Sequence, residues 1–336
     1  MNASKVALFE DDTQAWRLIE GSALMLLAKL PDACVDAVVT DPPYGIEFRG
    51  EAWDGDAIRQ AAQRVGEVLS TSEALERWTA VWSSEARRVL KPGGHLLAFG
   101  APRTFHRLVA GVEDAGLEVR DQLLWLFGTG VPKSRRLSGG YGTALKPAYE
   151  PVLLARAPLA GSTADNLARY GTGALGIEAA RIGAAGYWPA HVALSHAPGC
   201  EKACTADCPV RMIDSPQSDA LPSRLFYCAK ASKPEREAGC DELPLRSQLL
   251  YNRPHPRLRR NIHPTVKPLS LMRWLVALVT PPGGVVLDPF AGSGSTGIAA
   301  VGEGRRFLGI EREGDYVDIA CARLTHWAHL AAKETA

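Results

Sequence analysis

Short apolar runs alternate with longer segments of helical period along most of this chain. Runs typical of buried strands occupy residues 16–20, 34–40, 95–100, 117–127 and 146–155. Residues 72–90 carry apolar side chains at helical spacing and end at a Lys-Pro-Gly-Gly sequence, and residues 105–115 predict another helix. Alternating strands and helices predict an α/β fold built on a doubly wound, mostly parallel sheet.

The pattern weakens in the middle of the chain and then returns. Residues 156–222 are rich in Gly, Ala, Pro and short polar runs, with little periodicity. A helix-like segment at 269–275 and strand-like runs at 285–288 and 306–311 follow. These shifts divide the chain into a first half of one sheet domain (15–155), an irregular insert (156–260) and a second half (261–330).

Composition places the chain among soluble globular proteins. It has 336 residues, of which 46% are hydrophobic and 22% are charged. No apolar run reaches the length of a membrane span, and the N-terminus lacks the layout of a signal peptide. Seven unevenly spread cysteines favour reduced thiols. We therefore expect a cytoplasmic protein.

A small acceptor site follows the strand at residues 34–40. It consists of Asp41, Pro42, Pro43 and Tyr44. The prolines lack an N–H, which leaves nearby carbonyls free to accept hydrogen bonds, and Asp41 adds a charged acceptor. Tyr44 offers a face for stacking. Together these groups suit a flat ring that carries an exocyclic amine.

A second set of residues predicts a nucleotide-like cofactor. The strand at 285–288 ends in Asp288, and a glycine-rich turn then leads into a helix. A carboxylate there repels phosphate and attracts an ammonium, while Glu311, at the end of the next strand, suits ribose hydroxyls. A ligand with an amino group and a ribose fits S-adenosylmethionine better than NAD. The residues that we expect to line its site are Asp288, Phe290, Gly292, Gly294, Ser295, Thr296 and Glu311.

The two motifs resemble those of the beta-type DNA amino-methyltransferases, which methylate adenine N6 or cytosine N4. The base motif comes first and the cofactor motif last, as in that circularly permuted arrangement. The resemblance covers roughly residues 15–155 and 222–325. It implies a Rossmann-like, seven-stranded sheet, S-adenosylmethionine as cofactor, and a target-recognition region in the middle of the chain. A homodimer, and a bacterial or phage origin with a cognate restriction enzyme, are further expectations from such relatives.

The resemblance also assigns roles to residues. The segment 263–268 is expected to pack beside the glycine-rich turn, where Thr265 and Lys267 would meet the cofactor's carboxylate. A base flipped out of double-stranded DNA would stack on Tyr44 and donate its amine to Asp41 and to the Pro42 carbonyl. This chain departs from the family pattern after the first strand. Relatives commonly have Gly-Asp there, and the acid meets the cofactor's adenine. This chain has Gly21-Ser22. Either Ser22 or Glu20 would serve there.

The net charge of +1 hides an uneven distribution. Residues 133–260 hold 18 Lys and Arg against 11 Asp and Glu, which leaves a net −6 for the rest. Each basic run alone is typical of a solvated face, but two runs around the middle region favour contacts with DNA phosphates. The expected contact residues are Lys133, Arg135, Arg136, Arg257, Arg259 and Arg260.

Some alternatives remain open. Asp41 favours adenine N6, because the cytosine-N4 enzymes of the family more often have serine there. A methyltransferase of RNA or of protein glutamine is disfavoured. The alternative that is not an enzyme is a catalytically silent DNA-binding module that keeps the fold. The spacing of His196, Cys200, Cys204 and Cys208 is chemically adequate for zinc. Because no second CxxC pair supports it, ordinary reduced cysteines and no metal are favoured.

Overall fold

The computed structural model describes residues 7–63, 69–127, 137–145, 147–182, 186–194, 208, 226–248 and 257–335. Within these residues the chain forms a nine-stranded sheet and a separate two-stranded hairpin. Helices cover both faces of the large sheet, which confirms the predicted α/β, doubly wound fold. The expected number of seven strands is wrong, because two short strands extend one edge of the sheet.

Most elements predicted from the hydrophobic pattern are present, with shifted ends. The strands are β1 (Trp16–Glu20), β2 (Val35–Thr40), β3 (Leu90–Phe99), β4 (Glu118–Leu126), β5 (Tyr149–Arg156), β6 (Val192–Leu194), β7 (Phe226–Tyr227), β8 (Arg246–Gln248), β9 (Arg257–Arg259), β10 (Val285–Asp288) and β11 (Arg306–Glu311). The described helices are α1 (Ala23–Leu27), α2 (Asp56–Ala62), α3 (Thr71–Val89), α4 (Phe105–Asp114), α5 (Thr163–Tyr170), α6 (Lys233–Glu237), α7 (Leu269–Val279), α8 (Ser295–Gly302) and α9 (Gly314–Thr335). None of these helices combines the length and apolarity needed to span a bilayer.

In its described residues, the region expected to be irregular contains helix α5, a 3₁₀ turn at Glu178–Ala180 and strand β6. Helix α5 begins after Ser162, whose hydroxyl accepts the Asp165 N–H, and ends at Gly171, which adopts a φ of 73°. Strands β6 and β7 have three and two residues and pair in parallel beside β4. Elements this short lack a readable period, so sequence periodicity alone could not predict them.

The sheet interleaves the two ends of the chain. Its strand order is β1-β11-β10-β2-β3-β5-β4-β6-β7, parallel from β1 to β3 and with β5 antiparallel to both of its neighbours. Strand β10 pairs with β2 through Val286 opposite Ala37, and β1 pairs with β11. The carboxyl ends of β2, β10 and β11 therefore share one edge, where ligands bind in open α/β sheets. The domain boundaries at 155 and 260 stay predictions.

Alternate strand residues face two separate cores. Val38, Leu96 and Leu308 pack with α1 to α4 on one face, whereas Val39, Leu97 and Phe307 pack with α7, α8 and α9 on the other. All six residues of β2 are buried, as expected for a parallel strand that is covered on both sides. This packing holds the start of the Asp41–Tyr44 segment at a fixed point on the sheet edge.

Candidate active site

The two sets of residues singled out in the sequence line one cavity of about 1580 Å³. This volume exceeds that of a typical small-ligand pocket, so it has room for a cofactor and a base together. The cavity lies at the carboxyl ends of β2, β10 and β11. The predicted residues that line it are Asp41, Pro42, Pro43, Tyr44, Thr265, Lys267, Asp288, Phe290, Gly292, Ser295, Thr296 and Glu311. Gly294, the N-cap of α8, does not line it.

Asp41 is partly buried and already holds two donors. The Tyr44 hydroxyl donates to Asp41 Oδ1 at 2.5 Å, and the Lys267 ammonium donates to Asp41 Oδ2. Burial raises the pKa of Asp41, and the positive charge of Lys267 opposes this rise. Burial and the nearby Asp41 charge also raise the pKa of Tyr44 well above its ordinary value. Tyr44 therefore remains a neutral phenol that donates to the carboxylate.

Lys267 lines the cavity and contacts the acceptor site. Its side chain is 7% exposed, and its Nζ contacts Asp41 and lies 3.5 Å from Glu150 Oε2. Burial acts to lower the pKa of Lys267, but the two carboxylates outweigh it and raise the pKa. In this structure the ammonium is held by Asp41, and its contact with a cofactor carboxylate stays a prediction. Thr265 does line the cavity, as expected.

A second carboxylate that the sequence did not single out anchors the loop after Tyr44. Asp54 is 1% exposed, and its oxygens accept four backbone N–H groups, at distances of 2.6 to 3.1 Å. The donors are Tyr44, Gly45, Ile46 and Phe48. These bonds give the loop an internal anchor. Sequence periodicity does not reveal such side-chain to backbone bonds.

Asp288 is buried at the end of β10 and has chemistry that suits an ammonium. Its Oδ1 accepts from the Thr40 hydroxyl at 2.7 Å, and its Oδ2 accepts from the Thr296 hydroxyl at 2.6 Å. Burial raises the pKa of Asp288 to about 6, and these hydroxyls oppose the rise. Within the described residues no cationic side chain forms an ion pair with it. A cationic amino group of a ligand would supply the missing charge.

Glu311 faces the same cavity from the end of β11. Its Oε2 accepts the Gly292 N–H at 2.8 Å, and its Oε1 accepts the Arg312 and Glu313 N–H groups. Burial raises the pKa of Glu311, and these backbone donors counteract it. Oε2 accepts a single N–H and keeps a lone pair for a further donor, so the carboxylate is oriented and still able to accept a ribose hydroxyl.

The glycine-rich turn is held from behind by an arginine. Arg323 of α9 is fully buried and donates to the Ser293 carbonyl at 2.5 Å and to the Ser295 hydroxyl at 3.3 Å. Burial lowers the pKa of Arg323 to about 10, so it remains charged at neutral pH. Gly292 adopts a φ of 52°, and a Cβ there would lie 2.6 Å from the His263 ring. The turn therefore requires glycine at 292.

Two smaller expectations concern the cavity walls. Phe290 lines the cavity and packs on Trp78 and Trp82, with ring centroids 5.2 and 5.5 Å away. At the departure from the family pattern, Ser22 lines the cavity and Glu20 does not. Of the two candidates for the cofactor's adenine, the geometry therefore favours Ser22.

The expected DNA contacts lie largely beyond what the structure describes. Lys133, Arg135 and Arg136 fall outside the described residues, and only the backbone of Arg257 is described. Arg259 lies on β9, and the Arg260 guanidinium donates to the Asp241 carbonyl at 2.9 Å. Of the four residues considered for zinc, His196, Cys200 and Cys204 are outside the described part, and Cys208 is buried. The phosphate contacts stay predictions.

Comparison with known proteins assigns this arrangement to a family. The family model described as DNA methylase matches residues 35–322, which include both motifs. The chain belongs to this family. It is therefore an amino-methyltransferase of DNA, of the group that modifies adenine N6 or cytosine N4, and S-adenosylmethionine is its methyl donor. The residues at the cavity fit that donor, because buried Asp288 has no cationic side-chain partner among the described residues and Glu311 retains acceptor capacity.

Individual relatives agree with this family. The type II methyltransferase M.HindIII of Haemophilus influenzae is 26% identical, with 91% of this chain and 94% of that protein aligned. The DNA adenine methyltransferase YhdJ of Escherichia coli is 43% identical over 74 residues, 22% of this chain and 25% of its own. The structure of the cytosine-N4-specific PvuII DNA methyltransferase matches with a TM-score of 0.58 at 16% identity, covering 96% and 94% of the two chains. That last likeness supports the fold.

Proposed function

We propose that this enzyme methylates the N6 amine of adenine in double-stranded DNA, at a specific sequence. The observation that carries the proposal is the position of the Asp41 carboxylate, in the same cavity as Asp288 and Glu311. Asp41 heads the motif where the cytosine-N4 enzymes of the family more often have serine. The local match to a DNA adenine methyltransferase also supports adenine. Cytosine N4 is the second candidate, since the fold is shared with a cytosine-N4-specific enzyme.

The chemistry requires the base to leave the duplex, because the amine of a stacked base cannot be reached. The flipped base stacks on Tyr44, and its amine donates to Asp41 and to the Pro42 carbonyl. These acceptors orient the nitrogen lone pair and stabilise the positive charge that develops on nitrogen. Bound S-adenosylmethionine supplies the electrophilic methyl group. Nothing covalent forms on the protein, and the released proton passes to water directly or through Asp41.

The remaining residues hold the cofactor. Asp288 accepts the amino group, and Glu311 accepts the ribose hydroxyls. Gly292 allows close approach of the backbone, and Phe290 lines the methionine side. The basic residues of the middle region contact phosphates, and residues 156–260 supply target recognition. We expect the enzyme to act in the bacterial cytoplasm, as a homodimer and with a cognate restriction enzyme.

The test measures which base becomes methylated. Purified protein is incubated with unmethylated DNA and tritiated cofactor, and the DNA is digested to nucleosides for mass spectrometry. N6-methyladenine is the expected product. Asp41→Asn should lower the rate by at least about a hundredfold while cofactor affinity is kept, because a charged acceptor is lost. Asp114→Asn, at an exposed end of α4, is the matched control and should leave the rate unchanged.

Each other outcome has one meaning. N4-methylcytosine as the product would replace adenine with cytosine and keep the rest of the proposal. Cofactor binding without any DNA label would favour the catalytically silent module. A rate for Asp41→Asn equal to that of the native protein would contradict the assignment of the base site to residues 41–44.

A further inference from the structure

The Lys267 ammonium contacts the carboxylate that the proposed function assigns to the amine of a target base. It donates to Asp41 Oδ2, and the Tyr44 hydroxyl holds Asp41 Oδ1, so both carboxylate oxygens have donors before a base enters. Lys267 Nζ is also 3.3 Å from the Tyr44 oxygen. The site therefore carries a cation that mimics the amine it would bind.

Lys267 has a second carboxylate within reach. Its Nζ lies 3.5 Å from Glu150 Oε2, at the start of β5. That oxygen is buried and accepts no hydrogen bond within the described part of the chain. A small rotation of the lysine side chain would satisfy it. The site thus offers the ammonium two positions, one on Asp41 and one on Glu150.

The two positions have different effects on the reaction. An ammonium on Asp41 keeps this carboxylate ionised but repels the positive charge that develops on the target nitrogen. An ammonium on Glu150 leaves the negative charge of Asp41 to stabilise that nitrogen. Catalysis is therefore favoured if Lys267 moves away when the base arrives.

We propose that Lys267 is a positioning residue that holds Asp41 between turnovers and moves to Glu150 when the target amine takes its place. The proposal rests on the proposed function, because it takes Asp41 as the acceptor of the base. It replaces the expected contact between Lys267 and the cofactor, and it gives Glu150 a role in the base site. The charge of Asp41 is thus compensated by Lys267 when no base is bound, and is available to the target nitrogen when a base is bound.

The pH dependence follows from the groups that face Asp41. Lys267, ahead of α7, and Tyr44, after β2, act to lower its pKa, whereas Glu150 of β5 acts to raise it. Asp288 adds a further negative charge nearby, from the end of β10. Removal of Lys267 leaves these carboxylates uncompensated, so Asp41 should require higher pH to ionise. Methyl transfer needs the ionised form of Asp41, so without Lys267 its rate should begin to fall at a higher pH than in the native enzyme.

The experiment measures single-turnover methyl transfer against pH, together with cofactor affinity. In Lys267→Met, the rate should fall at the acidic end of the profile, recover at higher pH, and leave cofactor affinity unchanged. Adding Glu150→Gln should return the profile toward that of the native enzyme, because one of the repelling charges is gone. Lys267→Arg keeps the charge and should retain the native pH profile. Lys333→Met, exposed near the end of α9, is the control.

The alternatives give different results. If Lys267→Met lowered the rate of methyl transfer equally at every pH, the proposal would be overturned. A loss of cofactor affinity in this variant would also overturn it and would instead support a contact between Lys267 and the cofactor. If Lys267→Met does not fold, Glu150→Gln alone decides. It should slow transfer at every pH because the ammonium stays on Asp41, and an unchanged rate would contradict the proposal. Failure of the native protein to methylate DNA would instead refute the proposed function.

Discussion

At the scale of single residues, Asp54 shows how a buried carboxylate shapes a catalytic loop. It accepts the N–H groups of Tyr44 and Gly45 on one oxygen and those of Ile46 and Phe48 on the other. Four N–H groups that would otherwise lack partners are satisfied by one side chain. The direction in which Tyr44 leaves the backbone therefore depends on Asp54, although Asp54 is not a catalytic residue.

Asp54→Asn should remove part of the anchor that fixes the loop after Tyr44. The amide replaces one acceptor oxygen with a donor, so two backbone N–H groups would face an NH₂ group. We expect the free energy of unfolding to fall by about 1–3 kcal/mol. We also expect methyl transfer to slow by at least about tenfold, because misplaced groups react poorly. Denaturant unfolding and steady-state kinetics measure the two effects.

Asp56→Asn is the matched control for this change. Asp56 lies two residues further on, is 68% exposed, and pairs with Arg59 at the surface. Its loss should cost less than about 1 kcal/mol and leave the rate near that of the native enzyme. Equal rates for the Asp54 and Asp56 variants would show that the anchor has no part in catalysis.

At the scale of elements, helix α9 supports the cofactor turn. Arg323 donates to Ser293 and Ser295, and its guanidinium also contacts the Glu235 carbonyl of α6 at 3.4 Å. One buried side chain thus joins α9, the turn and α6. Because buried arginine is costly unless its donors are satisfied, the three elements depend on each other.

Arg323→Met should loosen the turn even though Arg323 lies behind it. The Ser293 carbonyl would lose its donor, and we expect a loss of about 3 kcal/mol in stability together with weaker cofactor binding. Thermal unfolding and calorimetric titration with the cofactor measure both. Arg273→Met is the control, because Arg273 is 52% exposed and pairs with Glu303. Native cofactor affinity in Arg323→Met would contradict the role of this helix.

Elements with strong local signals were predictable, and contacts between distant segments were not. The β2 strand and the glycine-rich turn follow from apolar runs and from glycines that must adopt a positive φ. The contact between Lys267 and Asp41 joins residues 226 positions apart, and it depends on how β2 and the segment before α7 meet. The sequence therefore identified Lys267 as a site residue but did not predict its contact with Asp41. Asp54 and Arg323 were missed because they bond to backbone groups and small hydroxyls that are distant in sequence or carry no linear signal.

At the scale of the whole molecule, the cofactor site joins both ends of the chain. Asp288 belongs to β10 in the last quarter of the sequence, yet Thr40 of β2 donates to it at 2.7 Å. The pairing of β2 with β10 brings these residues together. A cofactor amino group on Asp288 would therefore stabilise the interleaved sheet as a unit. Binding to the native state alone raises stability in proportion to the logarithm of ligand concentration.

The stabilisation given by the cofactor should depend on pH. The pKa of Asp288 is raised from 3.8 to about 6 in the folded chain, so the folded state holds this proton more tightly than the unfolded state. Its contribution to stability is full below the unfolded value and is lost as pH rises through about 6. A bound ammonium offsets the cost of the ionised form, so the cofactor should raise the melting temperature more at about pH 7 than at about pH 5. Thr40→Val removes a bond that lowers the pKa of Asp288, and it should move this change to higher pH. Scanning calorimetry with and without cofactor, on the native chain and on Thr40→Val, tests both expectations. If the cofactor raised the melting temperature equally at every pH, an ion pair between Asp288 and the cofactor would be refuted.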